Sequence, residues 1–179
     1  MKTQTNSQPA AVRPVLASFP LLACDDLTLR RVLPRAAAAI QEISYYDGVA
    51  AENQDQAKEM LARIDQDMAR GDSLHWGVCL RGSAEIVGTC GFYRGFQGGV
   101  GEIGYVLRGA YRGRGVMTAA VRLVVTFGFE TLNLDAVVAY TEATNEPSMD
   151  LLRRVGFVEA KSAVTDRKFT LTAITSRTT

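Results

Sequence analysis

The stretch "GAYRGRGVMTAA" (109–120) sets Arg112, Gly113, Arg114 and Gly115 directly in front of a long apolar helix pattern. Glycine lets a backbone approach a ligand closely. The first turn of a helix presents N–H donors without partners and a partial positive charge. If such donors converge and arginines stand beside them, the result is a cradle for a phosphate or pyrophosphate. Arg108 lies close enough in sequence to add its charge. The same residues also suit a solvated tight turn, and the loop alone does not choose between the two. Two familiar phosphate loops match poorly. A nucleotide P-loop needs a Lys-Ser/Thr pair, and the dinucleotide fingerprint needs Gly or Ala where Thr118 stands.

Other candidate groups flank this loop. Glu102 opens the apolar run "EIGYVL" that leads into it, and "TNEPSMDLLRRVGF" follows it. In the latter, Asn145 is a good helix N-cap, Pro147 sits in the first turn and Gly156 is the stop. Ser148, three residues after Asn145, occupies a capping-box position. His75 is the only histidine; no partner motif points to it, and it reads as a structural residue beside Trp76. Cys24, Cys79 and Cys90 are odd in number and widely spaced, which suits neither a disulfide framework nor a zinc site.

The elements that must position these groups follow from hydrophobic periodicity. "LTLRRV" (27–32) alternates as a strand, and Pro34 opens an alanine-rich helix to about Ile43. In "QDQAKEMLARIDQDMARG", Ala57, Met60, Leu61, Ile64 and Met68 share one helical face and Gly71 ends it. "SLHWGVCL" (73–80) and "EIVGTCGFY" (85–93) read as a hairpin, and a glycine-rich turn leads to a third strand over 102–107. From Val116 to Phe129 the polar residues Thr118, Arg122 and Thr126 form one narrow stripe on an otherwise buried helix. "LDAVVAYT" (134–141) is a buried strand. Strand, loop, helix and strand at this length predict a βαβ unit, with the strands near 104 and 138 parallel. The strands before it read as antiparallel, and "FVEAKSA" and "RKFTLTAI" as a closing hairpin. The expected class is α/β, a mixed sheet with helices on its faces.

The chain has 179 residues, 47% hydrophobic and 22% charged, with a net charge of +1. That length suits one domain, read here as 18–179 after a disordered tail over 1–17. Near-neutral charge gives no general reason to bind nucleic acid or membrane, so any anion site must be local. No apolar run approaches the ~20 residues of a membrane span, and the N-terminus lacks an apolar signal core, so a cytoplasmic protein is expected.

The segment from "GEIGYVLRGAYRGRGVMTAA" to "SMDLLRRVGF" resembles the GNAT superfamily of acetyl-CoA-dependent N-acetyltransferases. More narrowly, it is similar to the branch that acetylates ribosomal-protein alanine or serine N-termini (RimJ/RimL type). The ordered set carries the resemblance: a G-Y-x-L strand end, a G-[KR]-G-x-[AM]-T loop, and N-x-x-S-x-x-[LM]-[LM]-x-[KR]-x-G-F, detailed over 102–157. It implies the GNAT fold, in which antiparallel strands precede a βαβ unit whose parallel strands splay apart. It also implies that the superfamily loop Q/R-x-x-G-x-G/A maps onto Arg112, Gly115 and Met117. The backbone N–H groups from Arg112 through Gly113, Arg114, Gly115, Val116 and Met117 to Thr118 would then cradle the CoA pyrophosphate. Met117 departs from the family's small third residue. Main-chain groups of Val106 and Leu107, next to Tyr105, would pair with the pantetheine arm.

Acetyl transfer to an amine needs a base, a polarised carbonyl and a proton for the departing thiolate. Glu102 is the candidate base, directly or through a water; a strand-end glutamate in a salt bridge is the competing reading. The Val106 N–H would polarise the carbonyl by resemblance. Ser148 would protonate the thiolate and Asn145 would hydrogen-bond the pantetheine, with Tyr105 and Tyr140 as alternative donors. The acceptor is a primary amine, either a protein N-terminus or a small molecule, on a monomer or homodimer that needs no metal. Its binding surface is expected on the two N-terminal helices and around 45–53 and 93–101, where Asp47, Glu52 and Asp55 could attract a cation or simply form an ordinary solvated surface. A catalytically silent CoA-binding module is the alternative function.

Overall fold

The computed structural model describes residues 18–160 and 166–173. The expected tail over 1–17 and the middle of the closing hairpin lie outside them. The strands are β1 (Leu22–Ala23), β2 (Leu27–Arg31), β3 (Tyr45–Tyr46), β4 (Val49–Ala50), β5 (Leu74–Leu80) and β6 (Gly88–Tyr93). They continue as β7 (Val100–Leu107), β8 (Ala136–Glu142), β9 (Val158–Ala160) and β10 (Asp166–Thr172). The α-helices are α1 (Gln54–Arg70), α2 (Val116–Glu130) and α3 (Glu146–Val155).

Eight strands form one sheet in the order β1-β2-β5-β6-β7-β8-β10-β9. Every pairing in it is antiparallel except β7 with β8, as the βαβ reading requires. The second strand of the expected hairpin begins at Gly88 rather than Glu85; Val87 N still donates to Val78 O at 2.8 Å. The helix opened by Pro34 has 3-10 geometry through Ile43.

Alternation along the strands sends each residue set to a different layer. Leu74, Trp76 and Val78 face α2 and α3 in the main core, with Phe92, Val121, Val124 and Phe127. Cys79 faces the opposite layer, where Ile40 and Ile43 of the 3-10 helix and Leu61 of α1 pack. Gly128 of α2 must be small, because a Cβ there would meet the Phe92 ring at 2.7 Å. Helices α1 and α3 are stopped as their sequences predict, α1 by Gly71 (φ 76°) and α3 by Gly156 (φ 111°) in the left-handed region.

One feature of the sheet positions the site. β7 and β8 are paired only over Val100–Ala136, Gly101–Val137 and Glu102–Val138. Beyond Glu102 no strand joins the β8-facing edge of β7 among the described residues.

Candidate functional site

The site is built where these strands part. At the end of β7 the chain makes a single 3-10 turn (Gly109–Tyr111), then the loop over 112–115, then α2. Gly113 (φ 74°) and Gly115 (φ 77°) hold left-handed conformations that a side chain would strain. Gly115 is the N-cap of α2, and no side chain caps the helix there. The donors of its first turn are therefore left for another partner. Arg112 and Arg114 are exposed, and neither pairs with a carboxylate among the described residues. Arg112 Nε donates to Leu107 O at 3.2 Å, tying the loop to the strand end, and the Arg114 guanidinium lies 6.0 Å from the Tyr111 ring centre. Met117 turns inward and is 5% exposed, packed beneath Gly88 and Leu107. Its bulk therefore lies in the core instead of blocking the loop.

Arg108 does not join this patch. Its Nε lies 2.9 Å from Glu42 and its Nη1 2.6 Å from Glu85, so its charge fastens the 3-10 helix to the sheet. The sequence places Arg108 four residues from Arg112, but tertiary contacts supply the carboxylates that claim it.

On the α3 side of the parted strands, Tyr105 and Ser148 meet: their hydroxyl oxygens are 2.9 Å apart. Asn145 caps α3, its Oδ1 accepting from Ser148 N at 3.2 Å, which fixes the first turn that carries Ser148. Burial pushes the Tyr105 phenol up to about 12, with the Ser148 hydrogen bond acting in the opposite direction. Tyr105 therefore keeps its proton at neutral pH and can donate it. Thus two candidate proton donors that the sequence offers as alternatives are hydrogen-bonded to each other.

On the α1 side, a cavity of about 1000 Å³ opens along the same strands. Glu102, Gly104, Tyr105, Val106 and Tyr140 line it at β7 and β8. Glu102 is ion-paired with Arg94, whose Nη2 also donates to Asp47 Oδ1 at 2.6 Å. Both readings of Glu102 thus meet in one place, a carboxylate on the cavity wall that is also salt-bridged. Of the acceptor residues expected, Asp47 lines the cavity; Glu52 and Asp55 do not. Glu52 N instead donates to Gln56 Oε1, and Asp55 pairs with Lys58 on the surface of α1.

Several groups here lie within the stretches expected to bind the acceptor, or next to them, without a signal of their own in the sequence. Asp67 and Asp72, from the end of α1 and the turn after it, reach the cavity beside Ser73, and Tyr93 lines it from β6. His75 is buried at 6% exposed, with Nδ1 3.4 Å from the Tyr93 hydroxyl and no partner for Nε2. It faces away from Trp76, since successive strand residues point to opposite layers. Only the D-G pair at Asp47–Gly48 gave a local signal: it closes the small β3–β4 hairpin with φ of 50° and 82°, as a type I′ turn requires.

The model of the acetyltransferase (GNAT) domain matches residues 26–158. The N-acetyltransferase YoaA of Bacillus subtilis is 31% identical over 78% of this chain and 83% of its own length. The N-acetyltransferase p20 of Bacillus licheniformis is 34% identical over 57% of this chain, a match that spans 58% of p20. Among solved structures, the ribosomal L7/L12 α-N-protein acetyltransferase RimL in complex with coenzyme A superposes with a TM-score of 0.75. That match has 15% identity and covers 86% of this chain and 98% of RimL.

Proposed function

The chain belongs to the GNAT acetyltransferase family, and on that footing we propose that it carries the acetyl group of acetyl-CoA to a primary amine, a protein N-terminus or a small molecule. The observation that carries the reading is the three-pair contact between β7 and β8, beyond which the open edge of β7 runs on to Leu107 and leads into an uncapped helix start. An extended arm can lie along the open edge of β7 while its diphosphate meets the donors of α2.

The residues fit such a substrate. The N–H groups over 112–118, with Arg112 and Arg114, would hold the pyrophosphate. Main-chain groups of Tyr105 and Leu107 would pair with the pantetheine, although the Leu107 carbonyl already accepts from Arg112. Those of Val106, expected to join them, turn instead to Thr89 of β6, as the Arg108 N to Val87 O bond and the alternating register require. The Asn145 amide nitrogen remains available to donate while its oxygen caps α3. Acetyl-CoA itself supplies a thioester, an acyl group already activated toward amines.

The chemistry then needs no covalent enzyme intermediate. The amine nitrogen attacks the carbonyl carbon, an open-edge N–H of Tyr105 or Leu107 takes the part expected of Val106 in stabilising the charge building on oxygen, and the C–S bond breaks. Ser148 gives its proton to the departing sulfur, Tyr105, at 2.9 Å, restores it, and Tyr105 in turn takes up a proton from water in the cavity it lines. The proton lost by the amine passes to Glu102, directly or through water. Glu102 can serve only by accepting with the oxygen not engaged by Arg94.

Two measurements test the proposal. Thermal shift with acetyl-CoA, CoA, ATP and NAD is expected to show stabilisation by the CoA compounds alone. Thiol release across a panel of amines and N-terminal peptides then reads transfer. If no CoA compound stabilises the chain, the proposal fails.

A further inference from the structure

The cavity wall carries five carboxylates, Asp47, Asp67, Asp72, Glu102 and Asp166, against one guanidinium, Arg94. Asp47 and Glu102 are spent on Arg94. Asp67 and Asp72 share Arg70, which is not part of the wall and whose side chain is 57% exposed. An ion pair so open to water is weak and screened by salt. Beside these two carboxylates, Ser73 is 2% exposed, and its Oγ is buried with no hydrogen-bond partner among the described residues. A buried hydroxyl without a partner is costly, so a donor brought to it is stabilised. The surrounding backbone is fixed, because Gly95 N donates to the Asp72 carbonyl at 2.7 Å and the Tyr46 hydroxyl to Asp67 Oδ2 at 3.1 Å.

We propose that this corner of the cavity binds a second cationic nitrogen of the acceptor, held by Asp67, Asp72 and Ser73 while the first nitrogen is acetylated at β7. The inference rests on the acetyl-transfer reading of the cavity. Its chemistry is complementary: an ammonium offers only donors, and the corner offers two carboxylates and a hydroxyl oxygen. Its spacing follows from register. Leu74 pairs with Phe92 and Tyr93 with Glu102, so Ser73 leads into the strand two away from the one bearing Glu102. Two strand spacings are roughly 10 Å. A substrate must therefore be long enough to bridge about that distance between its nitrogens, which a short diamine is not.

The test compares α,ω-diamines of two to six carbons with n-alkyl monoamines of equal length, and peptides beginning Ser-Lys with peptides beginning Ser-Glu. Turnover is read by thiol release and binding by calorimetry on the full chain. A charge-assisted contact is expected to raise kcat/KM roughly tenfold or more for the longer diamines or for the Ser-Lys peptides. Whichever arm shows the gain identifies the source of the second cation. In Asp67→Asn/Asp72→Asn and in Ser73→Ala the gain shrinks, and unfolding curves verify that each variant folds. Equal kcat/KM in both arms, or a gain that survives all these changes, overturns the proposal. Calorimetry separates this failure from failure of acetyl transfer. If no amine is acetylated, tighter binding of hexane-1,6-diamine than of hexylamine, lost in the variants, still supports the subsite, and equal binding overturns it.

Discussion

Acidifying the medium from pH 7 toward pH 5 should destabilise the folded chain through one side chain, His75. Its imidazole is 6% exposed between β5 and its neighbours, and burial alone pushes its pKa from 6.5 down to about 4. Above pH 6.5 the ring is neutral in both folded and unfolded chains and contributes no slope. Between 6.5 and 4 the unfolded chain takes up a proton that the folded chain refuses, so stability falls as pH falls. Each pH unit in that window costs about 1.4 kcal/mol, so the whole window costs about 3 kcal/mol and the step from 6.5 to 5 about 2. Because the chain has a single histidine, no other imidazole confounds the measurement. Urea unfolding at pH 7.5, 6.5, 5.5 and 5.0, on the wild type and on His75→Gln, isolates the effect; carboxylates contribute to both and cancel. The one histidine ring resonance in NMR should titrate near pH 4 in the folded protein. A midpoint at 6 or above, or equal pH slopes for the two proteins, would refute the reasoning.

Three further outcomes are expected. Ser148→Ala should lower kcat by about 10²-fold or more while leaving the KM for acetyl-CoA nearly unchanged; a raised KM at constant kcat in steady-state assays would assign Ser148 to binding alone. Arg112→Ala and Arg114→Ala should each weaken CoA binding about tenfold at low salt and less at high salt, read by calorimetry; no salt dependence would remove them from the anion cradle. Gly91→Ala should cost about 2–3 kcal/mol in thermal or urea unfolding, because its Cβ would lie 2.2 Å from Leu74 O and 2.8 Å from His75 Cα, both backbone atoms of the paired strand. A near-neutral effect there would mean the β5–β6 pairing is looser than its register.

What could be read from sequence was local. The glycines at 113 and 115, the Asn145 cap and the Gly71 and Gly156 stops are each decided within a few residues, and each is found where the sequence puts it. Periodicity also foretold the parallel β7–β8 pair, because a buried helix of that length leaves few other ways back to the sheet. It could not foretell who meets whom across layers. Arg108 reads as part of a cationic loop until folding brings Glu42 and Glu85 to it from 66 and 23 residues away. His75 reads as a companion of Trp76 because they adjoin in sequence, and the strand's alternation separates them. Asp67 and Asp72 carry no local mark of a cavity wall; the approach of β6 and of the β3–β4 hairpin makes them one. The 3-10 geometry after Pro34 likewise has no strong local signature, since alanine favours the α form.

The short seam between β7 and β8 also bears on how the molecule holds together. Strands β1, β2, β5, β6 and β7 form one plate and β8, β10 and β9 another, and among the described residues the seam between them is three ladder pairs and the Asp135 N to Gly99 O bond just before them. Helix α2, which follows β7, precedes β8 and packs against both, acts as the girder across that joint. Rigidity at the joint is thus carried largely by the apolar underside of one helix, so a mutation in that underside would be felt as a change in the width of the opening long before the plates themselves came apart.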